Sequence, residues 1–186
     1  SADIPIVALI GYTNAGKSTL LNALTQSSVH TENKLFATLD PTSRKLRFPQ
    51  DREVILTDTV GFIRHLPENL KESFKATLEE LDYAHVLLHV ADASHPEVDF
   101  QINAVNNILE EMGLNKIPTI LALNKWDFIA THEQQTMQNY FPQAIPISAL
   151  NRQGLENLSS GIINLLPPRE KSVIRGKDSL NIQEMY

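Results

Sequence analysis

The sequence predicts an α/β fold with three layers, α/β/α, in which a six-stranded, mostly parallel sheet lies between two layers of helices. Three observations support this prediction. Apolar runs of strand length alternate with segments in which apolar residues recur at helical spacing. Several of these runs are apolar throughout, which is typical of parallel strands covered on both faces. One weakly alternating segment, 43–48, leads through a short polar turn into the next run, which predicts a single antiparallel strand.

The elements can be assigned in order along the chain. The predicted strands are 4–10, 43–48, 53–58, 85–90, 117–124 and 144–148. The predicted helices open at 18–24 and then cover 67–81, 98–112 and 154–165. Pro67 suits the first turn of its helix, and Gly113 ends the pattern of 98–112.

Composition and charge exclude several classes of function. The chain has 186 residues, of which 42% are hydrophobic and 20% charged, and this suits one domain, predicted over 1–168, with 169–186 as a tail or the stub of a further segment. No apolar run approaches the roughly 18 residues needed to span a bilayer. The absence of cysteine is compatible with a cytoplasmic location, which we expect. The net charge of −6 argues against strong nucleic-acid binding by this domain alone.

The segment from Gly11 to Ser18 matches the pattern GxxxxGK[ST] and directly follows the first predicted strand. Its two glycines allow backbone N–H groups to turn inward around nucleotide phosphates. Lys17 is placed to reach the β- and γ-phosphates, and the Ser18 hydroxyl is placed to ligate Mg²⁺. The helix that follows directs the positive end of its dipole toward the anion. The order of strand, loop and helix therefore predicts a phosphate-binding loop.

A second motif, Asn124-Lys125-Trp126-Asp127, follows another predicted strand and indicates which base is bound. The carboxylate of Asp127 can accept hydrogen bonds from N1–H and the exocyclic amine of guanine. Adenine presents an acceptor at the equivalent ring nitrogen and would leave this charged group without its partner, which is costly. The segment Ser148-Ala149-Leu150, after the last predicted strand, can add backbone N–H contacts to the guanine oxygen. The motif therefore favours guanine and disfavours an ATP-dependent kinase.

A third motif, Asp58-Thr59-Val60-Gly61, ends a predicted strand and matches DxxG. Its carboxylate can hold a water on Mg²⁺, and the Gly61 N–H can bond the γ-phosphate. In the preceding loop Thr38 is the best candidate for a second Mg²⁺ ligand from the protein, with Thr42 as the alternative. Loops that contact the γ-phosphate lose those contacts on hydrolysis, so the set predicts a two-state switch.

Four segments, GYTNAGKSTL, LFATLDPTSR, LTDTVGFIRHLP and LLHVADASHP, resemble those of the HflX family of P-loop GTPases, and the likeness extends from Ile6 to about Leu166. The resemblance implies a GTPase that acts on the large ribosomal subunit and separates stalled ribosomes. Family members carry an N-terminal domain and a helical linker before the GTPase domain, and ribosome binding is expected to need that region. The predicted nucleotide contacts are Gly11, Tyr12, Thr13, Asn14, Ala15, Gly16, Lys17, Ser18, Thr19, Phe36, Ala37, Thr38, Leu39, Asp40, Asp58, Thr59, Val60, Gly61, Asn124, Lys125, Trp126, Asp127, Ser148, Ala149 and Leu150.

The source of hydrolysis is less obvious from the sequence. Phe62 stands where Ras-like enzymes place a glutamine that orients the attacking water, so slow intrinsic turnover is expected. The candidates for groups that act in hydrolysis are Lys17, Thr38, Gly61 and Asn14. Asn14 stands where related potassium-activated GTPases ligate K⁺ with an amide oxygen, but it could equally bond only to neighbouring backbone. A binding module with negligible hydrolysis is the alternative function.

Overall fold

The computed structural model describes residues 3–12, 14–27, 43–58 and 79–169. Six strands and four helices lie within these residues, in the order β1 (Ile6–Ile10), α1 (Lys17–Ser27), β2 (Ser43–Phe48), β3 (Arg52–Asp58), β4 (Val86–Asp92), α2 (Val98–Glu111), β5 (Thr119–Asn124), α3 (Thr131–Tyr140), β6 (Ile145–Pro146) and α4 (Leu155–Leu165). The helix predicted over 67–81 falls almost entirely outside the described residues. None of the helices that the structure describes is long and apolar enough to cross a membrane.

The strands form one sheet in the order β2-β3-β1-β4-β5-β6. All neighbours pair in parallel except β2 and β3, which pair antiparallel, so the predicted mixed sheet is confirmed. A short 3₁₀ turn, Pro49–Asp51, joins these two strands, and both Gln50 and Asp51 adopt positive φ in it. The hairpin was predictable because its turn and its alternating strand are local features.

The register of the parallel strands brings their carboxyl ends to one edge of the sheet. Leu9 of β1 pairs with Asp58 of β3, and Asp92 of β4 pairs with Asn124 of β5. The loop after β1 therefore lies beside polar side chains that are contributed by three other strands. Ligands of open α/β sheets bind outside this edge.

Apolar side chains fill the space on both faces of the sheet. On one face, α1 and α4 contribute Leu20, Leu24, Leu158 and Ile162 to a cluster with β1 and β4 residues of the same face. On the other face, Val105 and Leu109 of α2 pack with Ala8, Ile10 and Leu87. Helices on both faces confirm the three-layer arrangement.

Helix α3 was missed by the sequence interpretation, and the strand predicted over 144–148 is only two residues long. The sequence of α3, THEQQTMQNY, has no buried residue, so it lacks an apolar stripe at helical spacing. Its Gln134 side chain donates to the carbonyl of Trp126 at 3.1 Å. The strand β6 ends early because Ser148 forms an isolated antiparallel bridge with Gln153.

Candidate nucleotide-binding site

The loop between β1 and α1 passes so close to neighbouring elements that two of its positions require glycine. Gly11 and Gly16 both have positive φ, 151° and 98°. A Cβ at Gly11 would overlap the carbonyl oxygen of Val90, and a Cβ at Gly16 would overlap the side-chain amide of Asn124. The loop also contains Asn14 in the left-handed region, with φ of 68°. These positive φ values are of the kind expected for a loop whose backbone N–H groups turn inward around phosphates.

Lys17 begins α1 and is largely buried, with 8% of its surface exposed. Burial lowers the pKa of its ammonium group, and the negative charge of Asp58 offsets part of this effect. This interaction connects the loop after β1 to the carboxyl end of β3. Ser18 and Thr19 follow Lys17 and are exposed at the start of the helix. Lys17, the predicted phosphate-binding lysine, and Asp58, the predicted carboxylate of the metal site, therefore lie near each other.

Asn124 links two segments that the sequence interpretation assigned to phosphate and base. Its side chain is buried, with 3% exposed. The amide nitrogen donates to the carbonyl of Ala15 at 2.9 Å, and the amide oxygen accepts from the N–H of Ala149 at 3.0 Å. One asparagine thus satisfies buried backbone groups on both sides and holds the Ser148–Leu150 segment against the loop after β1.

Lys125 reinforces this junction, the contact of the loop after β1 with the segments that follow β5 and β6, on its solvent side. The residue adopts φ of 60°, and its ammonium group donates to the carbonyl of Asn14 at 3.0 Å. The same group forms an ion pair with Asp92 Oδ2 at 3.1 Å. The other carboxylate oxygen of Asp92 accepts from the N–H of Ser94 at 2.9 Å and from its hydroxyl at 2.6 Å.

Asp92 was not among the predicted site residues. Burial raises its pKa, but the hydrogen bonds from Ser94 and Lys125 outweigh this effect and hold the pKa below its usual value. The carboxylate therefore stays charged opposite Lys125 at neutral pH. A signal was present in the sequence, because Asp92 directly follows an apolar strand, but its partner became evident only from the register of β4 and β5.

The predicted base-reading residues lie at the open side of this junction. Trp126, Asp127 and Phe128 form a 3₁₀ turn, and the N–H of Trp126 donates to the carbonyl of Ile147, the residue after β6, at 3.1 Å. Asp127 is exposed, and Leu150, in the segment after β6, has 75% of its surface exposed. Asn151, which was also missed, donates from its side-chain amide to Asp127 Oδ2 at 2.9 Å.

The structure brings together the described members of the predicted set, which come from the loop after β1, the end of β3, the turn after β5 and the loop after β6. Other predicted residues lie outside the described part of the chain, namely Thr13, Phe36, Ala37, Thr38, Leu39, Asp40, Thr59, Val60 and Gly61. Phe62 and Thr42 also lie outside it. The roles of these residues stay predictions, as do the roles of the described members of the set.

The oxygen donors near the loop fit Mg²⁺ that is shared with a phosphate. Ser18 offers a hydroxyl at the start of α1, and Asp58 offers a carboxylate that interacts with Lys17. Within the described residues, no group of three or more His, Cys, Asp or Glu side chains could hold a metal ion by itself. Mg²⁺ commonly keeps several waters and binds through one or two protein groups plus substrate phosphates, so a hydroxyl and a carboxylate are donors of the kind it uses.

The fold and the loops gathered at this edge of the sheet are those of the class of P-loop GTPase domains. The family model described as "50S ribosome-binding GTPase" matches residues 6–125. Among curated relatives, GTPase HflX of Caldanaerobacter subterraneus is 52% identical over 159 residues, which are 86% of this chain and 36% of that protein. GTPase HflX of Escherichia coli is 45% identical over 167 residues, 89% of this chain and 39% of that protein. The chain belongs to the HflX family of GTPases.

Solved structures agree with the fold of a GTPase domain. A GTP-binding protein of Sulfolobus solfataricus in complex with GDP superposes with a TM-score of 0.71 and 30% identity, over 87% of this chain and 52% of that chain. Era in complex with MgGDPNP and a segment of 16S ribosomal RNA superposes with a TM-score of 0.64 and 25% identity, over 92% of this chain and 59% of that one. The chain spans little more than a third of the length of the two curated relatives.

Proposed function

We propose that this chain is a Mg²⁺-dependent GTP switch whose nucleotide binds across the loop after β1, the turn after β5 and the loop after β6. The observation that carries this proposal is the double hydrogen bond of Asn124, to Ala15 on one side and Ala149 on the other. It holds the phosphate-binding loop and both base-reading segments at one edge of the sheet. A nucleotide has its phosphates and its base at opposite ends, and this arrangement has a place for each.

Asp127 supplies the preference for guanine in this proposal. Its exposed carboxylate can accept from N1–H and from the exocyclic amine of the base. Adenine would desolvate the charge without replacing these bonds, so ADP is expected to bind much more weakly than GDP. Competition between the two nucleotides tests this directly, and equal affinity would favour the ATP-dependent kinase that the sequence disfavours.

The proposed contacts to the nucleotide phosphates are backbone N–H groups of the loop after β1, Lys17 and the start of α1. Lys17 is largely buried, and the negative charge of Asp58 favours the charged form of its ammonium group at this end of the site. Mg²⁺ at Ser18 and Asp58 would neutralise charge on the phosphate oxygens. Thr38 and Gly61 are the proposed contacts to the metal and to the γ-phosphate in the remainder of the chain.

Intrinsic turnover is proposed to be slow and to rise with K⁺. Asn14 is the proposed ligand, because its side chain is exposed on the loop while its own carbonyl is bonded to Lys125. Phosphate release should be faster in KCl than in NaCl at matched ionic strength, and Asn14→Ala should abolish the difference. Equal rates in the two salts for the wild-type protein would remove the potassium hypothesis and leave the guanine site intact.

The proposed partner is the large ribosomal subunit, which is supported by the description of the matching family and by the resemblance to HflX. The test measures phosphate release at saturating GTP with and without large subunits, for this chain and for the full-length protein. Stimulation that needs the full-length protein would place subunit binding outside this domain. Absence of both a basal rate and stimulation in the full-length protein would instead support a guanine-nucleotide binding module.

A further inference from the structure

The residue that contacts Asp127 comes from a loop far away in the sequence. The side-chain amide of Asn151 donates to Asp127 Oδ2 at 2.9 Å, across 24 positions of the chain. Both side chains lie at the exposed rim of the site. A carboxylate on an exposed turn would otherwise rotate about its side-chain torsions, and each rotation would move the two acceptor oxygens away from a base.

The loop that carries Asn151 is itself closed by hydrogen bonds. Ser148 and Gln153 exchange both backbone bonds at 3.0 Å, and the Ser148 hydroxyl accepts from the N–H of Asn151 at 3.3 Å. The N–H of Ala149 is anchored on Asn124. The backbone of Asn151 is therefore held relative to the loop after β1, and this places its side-chain amide within hydrogen-bond distance of Asp127.

We propose that Asn151 is a positioning residue for guanine recognition, which rests on the proposed function of Asp127 as the base reader. An ionised carboxylate has about four acceptor positions, of which Asn151 occupies one. The remaining positions are directed by that bond toward the N1–H and exocyclic amine of the base. The amide thus sets the plane of the carboxylate before nucleotide binds, so that less freedom is lost on binding.

The chemistry of the amide distinguishes this role from simple packing. Aspartate at position 151 would have nearly the same shape but would present an acceptor, and two carboxylates would then repel each other at hydrogen-bond distance. Alanine would remove the donor and leave Asp127 to rotate. A ligand that needs both oxygens in one plane should be affected more than one that needs a single oxygen.

GDP and IDP provide these two ligands, because hypoxanthine keeps N1–H and lacks the exocyclic amine. Dissociation constants of both should be measured for the wild-type chain, Asn151→Ala, Asn151→Asp and the control Asn164→Ala, an exposed position on α4. Asn151→Ala should weaken GDP about five-fold and IDP less, so the preference for GDP over IDP falls. Asn151→Asp should reduce that preference further, and Asn164→Ala should leave it unchanged.

Two results would overturn the inference. One is an equal loss of GDP and IDP affinity in both variants, which is what a general loosening of the loop produces. The other is unchanged affinity for both nucleotides. A further check does not depend on loop stability: Asn151→Ala is also made in an Asp127→Asn background. Because the Asp127 carboxylate is then absent, adding Asn151→Ala should not change the preference for GDP over IDP any further. If the wild-type chain binds neither nucleotide, the proposed guanine site fails, and this is distinct from failure at Asn151.

Discussion

Single polar side chains hold separate segments of this domain together. Asn124 is the main example, since its one side chain satisfies Ala15 and Ala149. The contact between Lys125 and Asp92 acts at the same junction but is partly open to water, where ion pairs contribute less. Buried hydrogen bonds of a side-chain amide contribute more to stability, because the backbone groups that would lose them on substitution cannot bond to water instead.

Asn124→Ala should therefore destabilise the nucleotide-free protein and weaken nucleotide binding. Each buried backbone group left without a partner costs about 1–3 kcal/mol. We expect the free energy of unfolding in urea to fall by roughly that amount or more and the affinity for GDP to fall more than about ten-fold. Asn164→Ala, at an exposed position on α4, is the matched control. An Asn124→Ala variant that binds GDP as tightly as the wild-type chain would contradict this role of Asn124.

His89 makes stability depend on pH. It lies in β4 with 2% of its surface exposed, and burial lowers its pKa to about 4. The unfolded chain has a histidine pKa of about 6.5, so between these values the unfolded state binds a proton that the folded state does not. Its contribution to stability is complete above about pH 6.5 and is lost as the pH falls toward 4.

Between pH 7 and pH 5 the wild-type chain should lose about 2 kcal/mol more of its unfolding free energy than His89→Leu does. Urea unfolding at the two pH values measures this difference, in a range where most carboxylates stay ionised. His132→Gln is the control, because the side chain of His132 is 82% exposed. If the wild-type chain and His89→Leu show the same pH dependence, His89 is not the group responsible.

At the scale of elements, the conformation of the loop after β1 depends on glycine at position 16, and a second glycine of this chain provides the control. Gly16→Ala would push a Cβ into the amide of Asn124, at a φ of 98° that L residues rarely adopt. We expect the GDP affinity to fall more than about ten-fold, because both the loop and its junction are displaced.

Gly113, just after α2, provides the control for this substitution. It has a φ of 69°, but no atom lies within 4 Å of a Cβ built there. Gly113→Ala should cost about 1–2 kcal/mol of stability from the backbone conformation alone and leave GDP binding unchanged. GDP affinities and urea unfolding of both variants measure the two effects. Equal loss of GDP affinity in the two would mean that close approach at Gly16 is not the cause.

At the scale of the whole molecule, the nucleotide would stabilise the fold by joining segments from across the sheet. A ligand that binds only the folded state at about 100 times its Kd stabilises it by about 2.7 kcal/mol. For a domain of this size, that energy corresponds to a rise in Tm of roughly 5–10 °C. Thermal unfolding with GDP should show this rise, and ADP at the same concentration should show much less. An equal shift with ADP would contradict guanine recognition by Asp127.

The antiparallel strand and the loop after β1 could be predicted because they depend on local signals. The glycine spacing of Gly11 and Gly16 and the alternation of 43–48 are read from neighbouring positions. Helix α3 could not, because its residues are polar and the helix is attached at few points, such as Gln134 on Trp126. The short length of β6 also escaped prediction, since it depends on the bridge from Ser148 to Gln153.

The sequence by itself determined which residues this domain offers for its proposed chemistry: the glycine-containing loop with Lys17, the carboxylates of Asp58 and Asp127, and the four segments that indicate its family. Local backbone preference and the spacing of side chains carry this information. Only the tertiary structure decided that Asn124 joins Ala15 to Ala149, that Asp92 pairs with Lys125 and that Asn151 holds Asp127. The register of parallel strands and the closure of loops set these contacts, and neither leaves a pattern at fixed spacing along the chain.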